Sequence, residues 1–383
     1  MLENLKPAPR IEQSPLGPVA VEFDGAEGTA TTNGLADGVD FLDFLEEAGY
    51  SADKYEVVGN PRTSRWQRYD GEWLTSYRFH FRLKTLVADL PALFAAAKKP
   101  VKKSAKTIQV ASDKALIVCW SDLQIGKVDH RGGVEALLSR VEDVKAQLLA
   151  QVKREKPGRV VVFDVGDLIE NFSNAANLQQ LRTNDLSIMQ QLDLAATILW
   201  ELLKDLAAIV PDVTYASVGS NHCQWRVQKQ VVGTPTDDWG VFIGRQLARL
   251  AAEKELPVRF FEPATHDESL TIDVLGHRIG LIHGHQVNRP DGIPDFWRKS
   301  SFGNSPLSSA TILVSGHFHH LRVQELGSDS KGRSRFWVQA ATLDNGSGWY
   351  MRSSGEDSQP GLVTFVVEQG KAFTGSVSKL VVE

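Results

Sequence analysis

Five short segments of the sequence place metal-ligating side chains beside small residues. In chain order they are Asp122-Leu123-Gln124, Gly166-Asp167-Leu168-Ile169-Glu170, Gly219-Ser220-Asn221-His222, His283-Gly284-His285 and Gly316-His317-Phe318-His319. Carboxylate, amide and imidazole groups together suit divalent cations of hard or borderline character. The set therefore predicts a site for two metal ions, as used in the hydrolysis of phosphate esters.

Each of these segments follows an apolar run that is typical of a buried strand. The runs cover 115–120, 159–165, 213–218, 278–282 and 311–315. Apolar residues recur with helical spacing over 134–152, 185–209 and 237–252, and further strands are predicted over 335–342 and 362–367. This alternation predicts an α/β domain over 113–383. Ligands at strand ends are held by rigid elements, which fixes their geometry.

The order and spacing of the five segments resemble the calcineurin-like metallophosphoesterases. That superfamily carries the motifs D-x-H, G-D-x-x-D/E, G-N-H-D/E, a separate H and G-H-x-H, and it includes phosphatases, cyclic-nucleotide phosphodiesterases and Mre11-type DNA nucleases. The resemblance covers about 115–345 and implies a four-layer αββα sandwich. A motif match of this kind is confirmed only when the structure shows that fold around the motifs. The segment Asp122–Gly126 and the basic N-terminal region favour the Mre11-like branch.

The resemblance also implies which residues bind the ions. Asp167 occupies the position that bridges both. The separate ligands are Asp122, Gln124 and His319 for the first ion, and Asn221, His283 and His317 for the second. Mn²⁺ is the expected metal, with Fe, Zn, Ni and Mg as alternatives.

His222 carries the proton chemistry in this interpretation. By resemblance it stabilises the transition state and protonates the leaving oxygen, which suits a side chain that titrates near neutral pH. Glu170 and His285 are predicted to orient neighbouring groups rather than to bind an ion.

Three positions depart from the family motifs. Gln124 stands where the motif has histidine, and its neutral amide oxygen is a weaker ligand that favours harder ions such as Mn²⁺. Ser220 replaces a glycine. Cys223 replaces the acid that usually orients the catalytic histidine, so His222 either lacks that partner or finds another.

The bulk composition limits the classes of protein to consider. The 383 residues are 42% hydrophobic and 23% charged with a net charge of −5, which predicts a globular protein with one large and one small domain. Any anion-binding surface must be local. Two cysteines, Cys119 and Cys223, imply no disulfide framework. No apolar run approaches the ~20 residues that span a bilayer, and no signal peptide is evident, so we expect a cytoplasmic protein without membrane contact.

The N-terminal third divides into three predicted parts. They are a flexible arm (1–36), a small α+β domain (37–91) with a helix over 39–49 and strands over 54–60 and 76–84, and a basic linker (92–112). The stretch 62–84 interleaves arginines with Trp66, Tyr69 and Trp73. Basic groups follow phosphates and aromatic faces stack on bases, although an ordinary amphipathic sheet with a solvated face explains the same pattern.

Two irregular loops are predicted to line the active site. They hold the basic residues Arg226 (loop 225–226) and Arg289, Arg298 and Lys299 (loop 288–305). Arginine can clamp a phosphodiester, and long irregular connections are often functional. Solvated loops remain the alternative.

Together these features predict a two-metal phosphodiesterase of bacterial or phage type that acts on nucleic acid, with DNA favoured. A hydroxide bridging the ions attacks phosphorus, and His222 assists the leaving group. One alternative is a phosphoesterase for a small substrate, either a cyclic nucleotide or a phosphomonoester. Another is a non-catalytic nucleic-acid-binding protein, suggested by Gln124 and Cys223. A homodimer is left open, and no partner ATPase is inferred.

Overall fold

The computed structural model describes residues 19–23, 27–33, 55–67, 69–71, 73–83, 112–171, 183–227 and 230–382. The chain divides into two compact units, 1–86 and 87–383. The helix predicted over 39–49 and residues 92–111 of the predicted linker lie outside the described residues.

The first unit contains an antiparallel sheet. Its strands are β1 (Val19–Phe23), β2 (Glu27–Asn33), β3 (Tyr55–Gln67) and β4 (Trp73–Leu83). They run in the order β1-β2-β4-β3, and Ala30, Phe79 and Phe81 are buried on one face. Strands β1 and β2 fall within the segment that the sequence predicted to be a flexible arm. The prediction missed them because β2 is rich in Thr, and the pairing of β1 with β2 and of β2 with β4 is not visible in the sequence.

The second unit contains two larger sheets, a short hairpin and five helices among its described residues. The strands are β5 (Lys114–Trp120), β6 (Arg159–Asp164), β7 (Asp212–Ser217), β8 (Arg226–Val227), β9 (Gln230–Val231), β10 (Val258–Phe261), β11 (Leu270–Val274), β12 (His277–Leu281), β13 (Ile312–Ser315), β14 (Arg322–Ser328), β15 (Ser334–Gln339), β16 (Gly361–Glu368) and β17 (Ser378–Val381). The helices are α1 (Val134–Glu155), α2 (Ile188–Ala207), α3 (Trp239–Glu253), α4 (Ile293–Phe302) and α5 (Gly348–Ser354).

The first large sheet has the strand order β10-β7-β6-β5-β16-β17. Strands β5, β6, β7 and β10 are parallel, so their carboxyl ends meet at one edge. Both faces of the central strands are apolar, as expected for parallel strands covered on both sides. Helices α1, α2 and α3 pack on one face in a core that includes Leu116, Leu137 and Leu199.

The second large sheet has the order β11-β12-β13-β15-β14. It shares a core with the other face of the first sheet, where Ile117 and Phe163 belong to the same cluster as Ile279 and Val314. A third core on its far side contains Trp297 of α4. The fold class is therefore mixed α/β, as predicted. None of the described helices combines the length and the apolar character needed to span a bilayer.

Helix α4 corrects the prediction of a long irregular loop over 288–305. Ile293 and Trp297 are buried, four residues apart on one helical face. The Trp297 indole nitrogen donates a hydrogen bond to the Leu307 carbonyl at 3.1 Å. The short helix escaped prediction because these two anchors give little periodicity.

Candidate metal centre

The strand register brings the predicted ligand segments to one edge of the paired sheets. Trp120 pairs with Asp164 and Asp164 with Ser217 in the parallel ladder. The segments that follow stay joined by backbone hydrogen bonds, including Gln124 N–H to the Asp167 carbonyl at 2.9 Å. The second sheet joins them where the His317 N–H donates to the Asp122 carboxylate at 3.1 Å.

Five of the predicted ligands have a left-handed backbone. Their φ angles are 52° at Asp122, 45° at Gln124, 54° at Asp167, 68° at His317 and 62° at His319. This conformation costs an L-residue roughly 1–2 kcal/mol. Such strain collects where the surrounding structure enforces it, and above all at functional sites. The turns after the strands therefore orient these side chains at the cost of an unfavourable backbone conformation.

Two glycines allow the close approach of these turns. A Cβ atom at Gly166, where φ is 102°, would lie 2.7 Å from His283 Nδ1. A Cβ atom at Gly316 would lie 2.7 Å from Asp122 Oδ2. Both distances are below van der Waals contact, so a larger residue would displace a predicted ligand.

Four predicted ligands meet around the Nε2 atom of His283. That atom lies 3.0 Å from Asp167 Oδ2 and 2.9 Å from Asn221 Oδ1. One donor atom from each of Asp167, His283 and His317 lies within 4.8 Å of the others. Within the described ranges, His, Cys, Asp and Glu side chains form one such group. We call Asp167, Asn221, His283 and His317 the Asp167 cluster.

The buried His283 is oriented as a metal-ligating histidine usually is. Its Nδ1 donates to the Val165 carbonyl at 2.7 Å, which leaves Nε2 toward the cluster. Burial disfavours the charged ring, but the Asp167 carboxylate outweighs it and raises the pKa of His283 to about 9. Nε2 therefore carries a proton and donates toward the Asp167 and Asn221 oxygens.

His317 supplies an unused nitrogen. Its Nδ1 is buried and has no hydrogen-bond partner among the described residues, and its ring centroid lies 5.0 Å from that of His283. Burial and the neighbouring His283 lower the pKa of His317 to about 4, so the ring is neutral and Nδ1 can act as a ligand. A carboxylate, an amide and two imidazoles therefore fit a divalent ion of borderline character.

The other predicted half-site is arranged differently. Asp122 Oδ1 lies 3.3 Å from His319 Nε2, while His319 Nδ1 lies 3.5 Å from Asp344 Oδ2. Asp344 is fully buried and sits behind His319, as carboxylates that orient metal-binding histidines do.

Gln124, the third residue of this half-site, is already engaged. Its amide oxygen accepts a hydrogen bond of 2.6 Å from the Lys127 ammonium, which also donates to Asp344 Oδ2 at 2.6 Å. The Gln124 amide nitrogen lies 3.4 Å from His222 Nε2. Because the Gln124 oxygen already binds an ammonium, the metal-ligating atoms of this half-site suit a divalent ion less well than those of the Asp167 cluster.

His222 lies beside Asp167 with a defined orientation. Its backbone N–H donates to Asp167 Oδ1 at 2.9 Å, and its Nδ1 lies 2.8 Å from the Glu170 carbonyl and 3.4 Å from Glu170 Oε2. Burial lowers the pKa of the ring, but the Asp167 and Glu170 carboxylates outweigh it and raise the pKa to about 10. Glu170 therefore takes the orienting position that Cys223 cannot fill.

His285 and Arg226 present buried donors next to the cluster. Gln224 Nε2 donates to His285 Nε2 at 3.2 Å, and burial lowers the pKa of His285 to about 3. The neutral ring must then carry its proton on Nδ1. That atom and Arg226 Nε are buried without hydrogen-bond partners in the described part of the chain. Arg226 is linked to the group through Gln224 Oε1 at 2.9 Å.

The other predicted substrate-binding residues lie on or before α4. Arg298 and Lys299 are 73% and 75% exposed and both form ion pairs with Asp295. Arg289 is exposed and precedes the turn Pro290–Gly292. Their interactions are those of a solvated helix face and do not join them to the Asp167 cluster.

Sequence reasoning missed Lys127, Asp344 and the role of Ser220. The Ser220 hydroxyl accepts from the Asp167 N–H at 2.9 Å, so it positions the central carboxylate. A signal for Asp344 was present, because it follows the predicted strand 335–342 as the other acidic ligands follow theirs.

Two of the solved structures that this chain resembles are the following. Wild-type Vps29 from Entamoeba histolytica, complexed with zinc, is 13% identical with a TM-score of 0.29, over 70% of this chain and 98% of that one. A conserved uncharacterized protein from Streptococcus pneumoniae TIGR4, described as a predicted phosphoesterase, is 11% identical with a TM-score of 0.26 over the same shares. No protein-family model and no curated protein matches the sequence. The functional conclusion therefore rests on the geometry of the site.

Proposed function

We propose that this protein is a metal-dependent phosphoesterase that hydrolyses phosphodiester bonds in nucleic acid. The observation that carries the proposal is the Asp167 cluster, where donor atoms from four separate segments converge beside a histidine held for proton transfer. The arrangement of helices and sheets around it supports the proposal of an αββα sandwich of the calcineurin-like type, and we propose the Mre11-like branch on the sequence motifs alone.

The side chains divide the chemistry between binding and proton transfer. A divalent ion in the cluster, with Mn²⁺ expected, would supply Lewis acidity toward a phosphoryl oxygen and acidify water. His222 keeps Nδ1 on the Glu170 carbonyl, so its Nε2 proton faces the site and can pass to the leaving oxygen. The unpartnered donors on His285 Nδ1 and Arg226 Nε suit a non-bridging phosphoryl oxygen.

The first unit supports a polymeric anion as substrate. Arg62 and Arg78 pair directly across β3 and β4. Like charges opposite each other destabilise a sheet, and a phosphate bound between them would offset that repulsion. Trp66, four residues from Arg62 on the same face, is 42% exposed. Phosphate contact and base stacking on one face are what single-stranded nucleic acid requires.

A substrate panel tests the proposal. With added Mn²⁺ we expect turnover of bis-p-nitrophenyl phosphate and of linear DNA, and loss of both activities with a chelator. Cleavage of circular DNA would identify endonucleolytic action. If only p-nitrophenyl phosphate or cyclic AMP is hydrolysed, the nuclease assignment is wrong and a small-substrate phosphoesterase replaces it.

His222→Gln should separate proton transfer from metal binding. We expect kcat to fall by about 10²–10⁴-fold with an alkyl leaving group, because general acid catalysis contributes that much. The loss should be smaller with p-nitrophenolate, which departs without a proton. Kinetics on both ester types measure the difference, and His266→Gln on the exposed surface is the control. Equal losses on both esters would remove His222 from the proton-transfer role.

Arg62→Ala/Arg78→Ala should weaken DNA binding without affecting hydrolysis of the small diester. Each lost phosphate contact lowers the slope of log K against log salt by roughly 0.7–0.9. Salt-dependent binding of single-stranded DNA measures that slope, with Arg154→Ala on the exposed side of α1 as the control. An unchanged slope would favour the solvated-sheet interpretation.

A further inference from the structure

A lysine is built into the half-site that the resemblance assigns to the first ion. Lys127 Nζ lies 2.6 Å from both Gln124 Oε1 and Asp344 Oδ2. The Lys127 side chain is 11% exposed and that of Asp344 is fully buried. A fixed positive charge therefore shares the Asp344 carboxylate with His319, whose Nδ1 lies 3.5 Å from Asp344 Oδ2.

We propose that the Lys127 ammonium takes the place of the first metal ion, so that this protein binds one divalent ion tightly, at the Asp167 cluster. The proposal rests on the proposed metal-dependent function, because it concerns how many ions that centre holds.

The donor set supports one tight site rather than two. Lys127 has only hydrogen-bond donors to offer, so Gln124 must present its oxygen to the ammonium and its amide nitrogen elsewhere. A metal ion bound to the Gln124 oxygen would have a weak neutral ligand. It would also lie next to the positive Lys127 ammonium, which repels it. Within the part of the chain that the structure describes, no lysine or arginine is paired with the Asp167 carboxylate, and His317 Nδ1 has no hydrogen-bond partner there.

The lysine is also held firmly. Asp344 Oδ1 accepts from the Gly346 N–H at 3.0 Å, and the Asp344 N–H donates to the Thr342 hydroxyl at 2.9 Å. The Thr342 hydroxyl in turn donates to the Asp122 carbonyl at 2.8 Å. Withdrawing the ammonium would leave the buried Asp344 carboxylate without its counter-charge, which is strongly unfavourable.

The ammonium can do part of the work of an ion. Two of its three N–H groups bind Gln124 and Asp344, so in the proposal the third would donate to a phosphoryl oxygen. A fixed cation next to the developing charge stabilises the transition state without reorganisation. Unlike a metal ion, the ammonium cannot acidify water as a Lewis acid. The ion that the Asp167 cluster would hold has to do so.

Counting bound Mn²⁺ tests the proposal without reference to activity. The wild-type protein is titrated with Mn²⁺ alone, and stoichiometry is read by calorimetry and by elemental analysis after desalting. Electron paramagnetic resonance distinguishes an isolated Mn²⁺ from an exchange-coupled pair. Lys127→Met frees the Gln124 oxygen, and Lys127→Met/Asp344→Asn does so without leaving a buried charge should the single variant not fold.

We expect one Mn²⁺ per wild-type chain with an isolated-ion signal. We expect two in the double variant, with the second site tightened by about 10–100-fold, the range over which supporting residues tune metal affinity. Lys145→Met, which removes a paired lysine of α1, should leave the count at one.

The other outcomes overturn the proposal in distinguishable ways. Two equally tight, coupled ions in the wild-type protein would refute the role of Lys127 and leave the phosphoesterase assignment standing. One ion in both the wild-type protein and the double variant would show that something other than Lys127 excludes the second. No bound Mn²⁺ in any variant would remove the metal-dependent function itself.

Discussion

Asp167→Asn is expected to reduce Mn²⁺-dependent hydrolysis by at least ~10³-fold while the protein stays folded. The carboxylate is the anionic member of the Asp167 cluster, and a bound metal ion contributes several kcal/mol to the transition state. Each 1.4 kcal/mol corresponds to a factor of about ten in rate. Hydrolysis of bis-p-nitrophenyl phosphate at saturating Mn²⁺ measures the loss.

Asparagine is the appropriate replacement because the backbone restricts the choice. Asp167 has a φ of 54°, a region that asparagine tolerates far better than most residues. The asparagine oxygen can still accept the His222 N–H that Asp167 Oδ1 accepts. In an alanine variant, loss of the carboxylate and strain in the turn would both reduce activity, and the two effects could not be separated.

The control is Asp143→Asn on the exposed side of α1, which should keep full activity. Circular dichroism and thermal unfolding establish that both variants fold. Turnover of Asp167→Asn at the wild-type rate would rule out the Asp167 cluster as the catalytic centre.

That the side chains of the Asp167 cluster lie close together could be predicted from the sequence, because each follows an apolar run typical of a strand. A run such as 159–165 must be a buried strand, and the residue after it must lie at the sheet edge. Asn221, His283 and His317 follow comparable strands; parallel register aligns the strand ends within each sheet, and the packing of the two sheets on a shared core brings the two sets together. Edge strands such as β14 and β17 were missed, since their half-exposed residues lack that apolar signature.

The second half-site could not be predicted in the same way. The Lys127–Asp344 ion pair joins residues 217 positions apart, and neither belongs to a motif that names the other. That pair fixes the orientation of the Gln124 amide. Because residues 122–124 contain no sign of the pair, they predict only that the amide oxygen binds an ion. Likewise, the exposure of Arg298 and Lys299 depends on which face of α4 packs inward, and that is set by Trp297.

The Lys127–Asp344 pair makes a second prediction with a large effect. Asp344→Asn should lower the free energy of unfolding by about 3–5 kcal/mol, because removing one partner leaves the other charge buried without compensation. The substitution keeps the size of the side chain and an oxygen for the Gly346 N–H, so loss of charge dominates. Urea unfolding of metal-free protein measures the change, with Asp143→Asn again as the control.

A double-mutant cycle decides whether the pair or packing around it causes the loss. If the cost comes from an unpaired charge, Lys127→Met/Asp344→Asn should be more stable than either single variant, since replacing both members of a buried pair is often close to neutral. The interaction energy from the cycle should then be at least as large as the loss of the Asp344→Asn variant, about 3–5 kcal/mol, because the double variant regains stability that each single variant loses. Additive losses would mean that the Lys127 and Asp344 side chains do not interact. The proposal that Asp344 holds the Lys127 ammonium in place beside Gln124 would then be refuted.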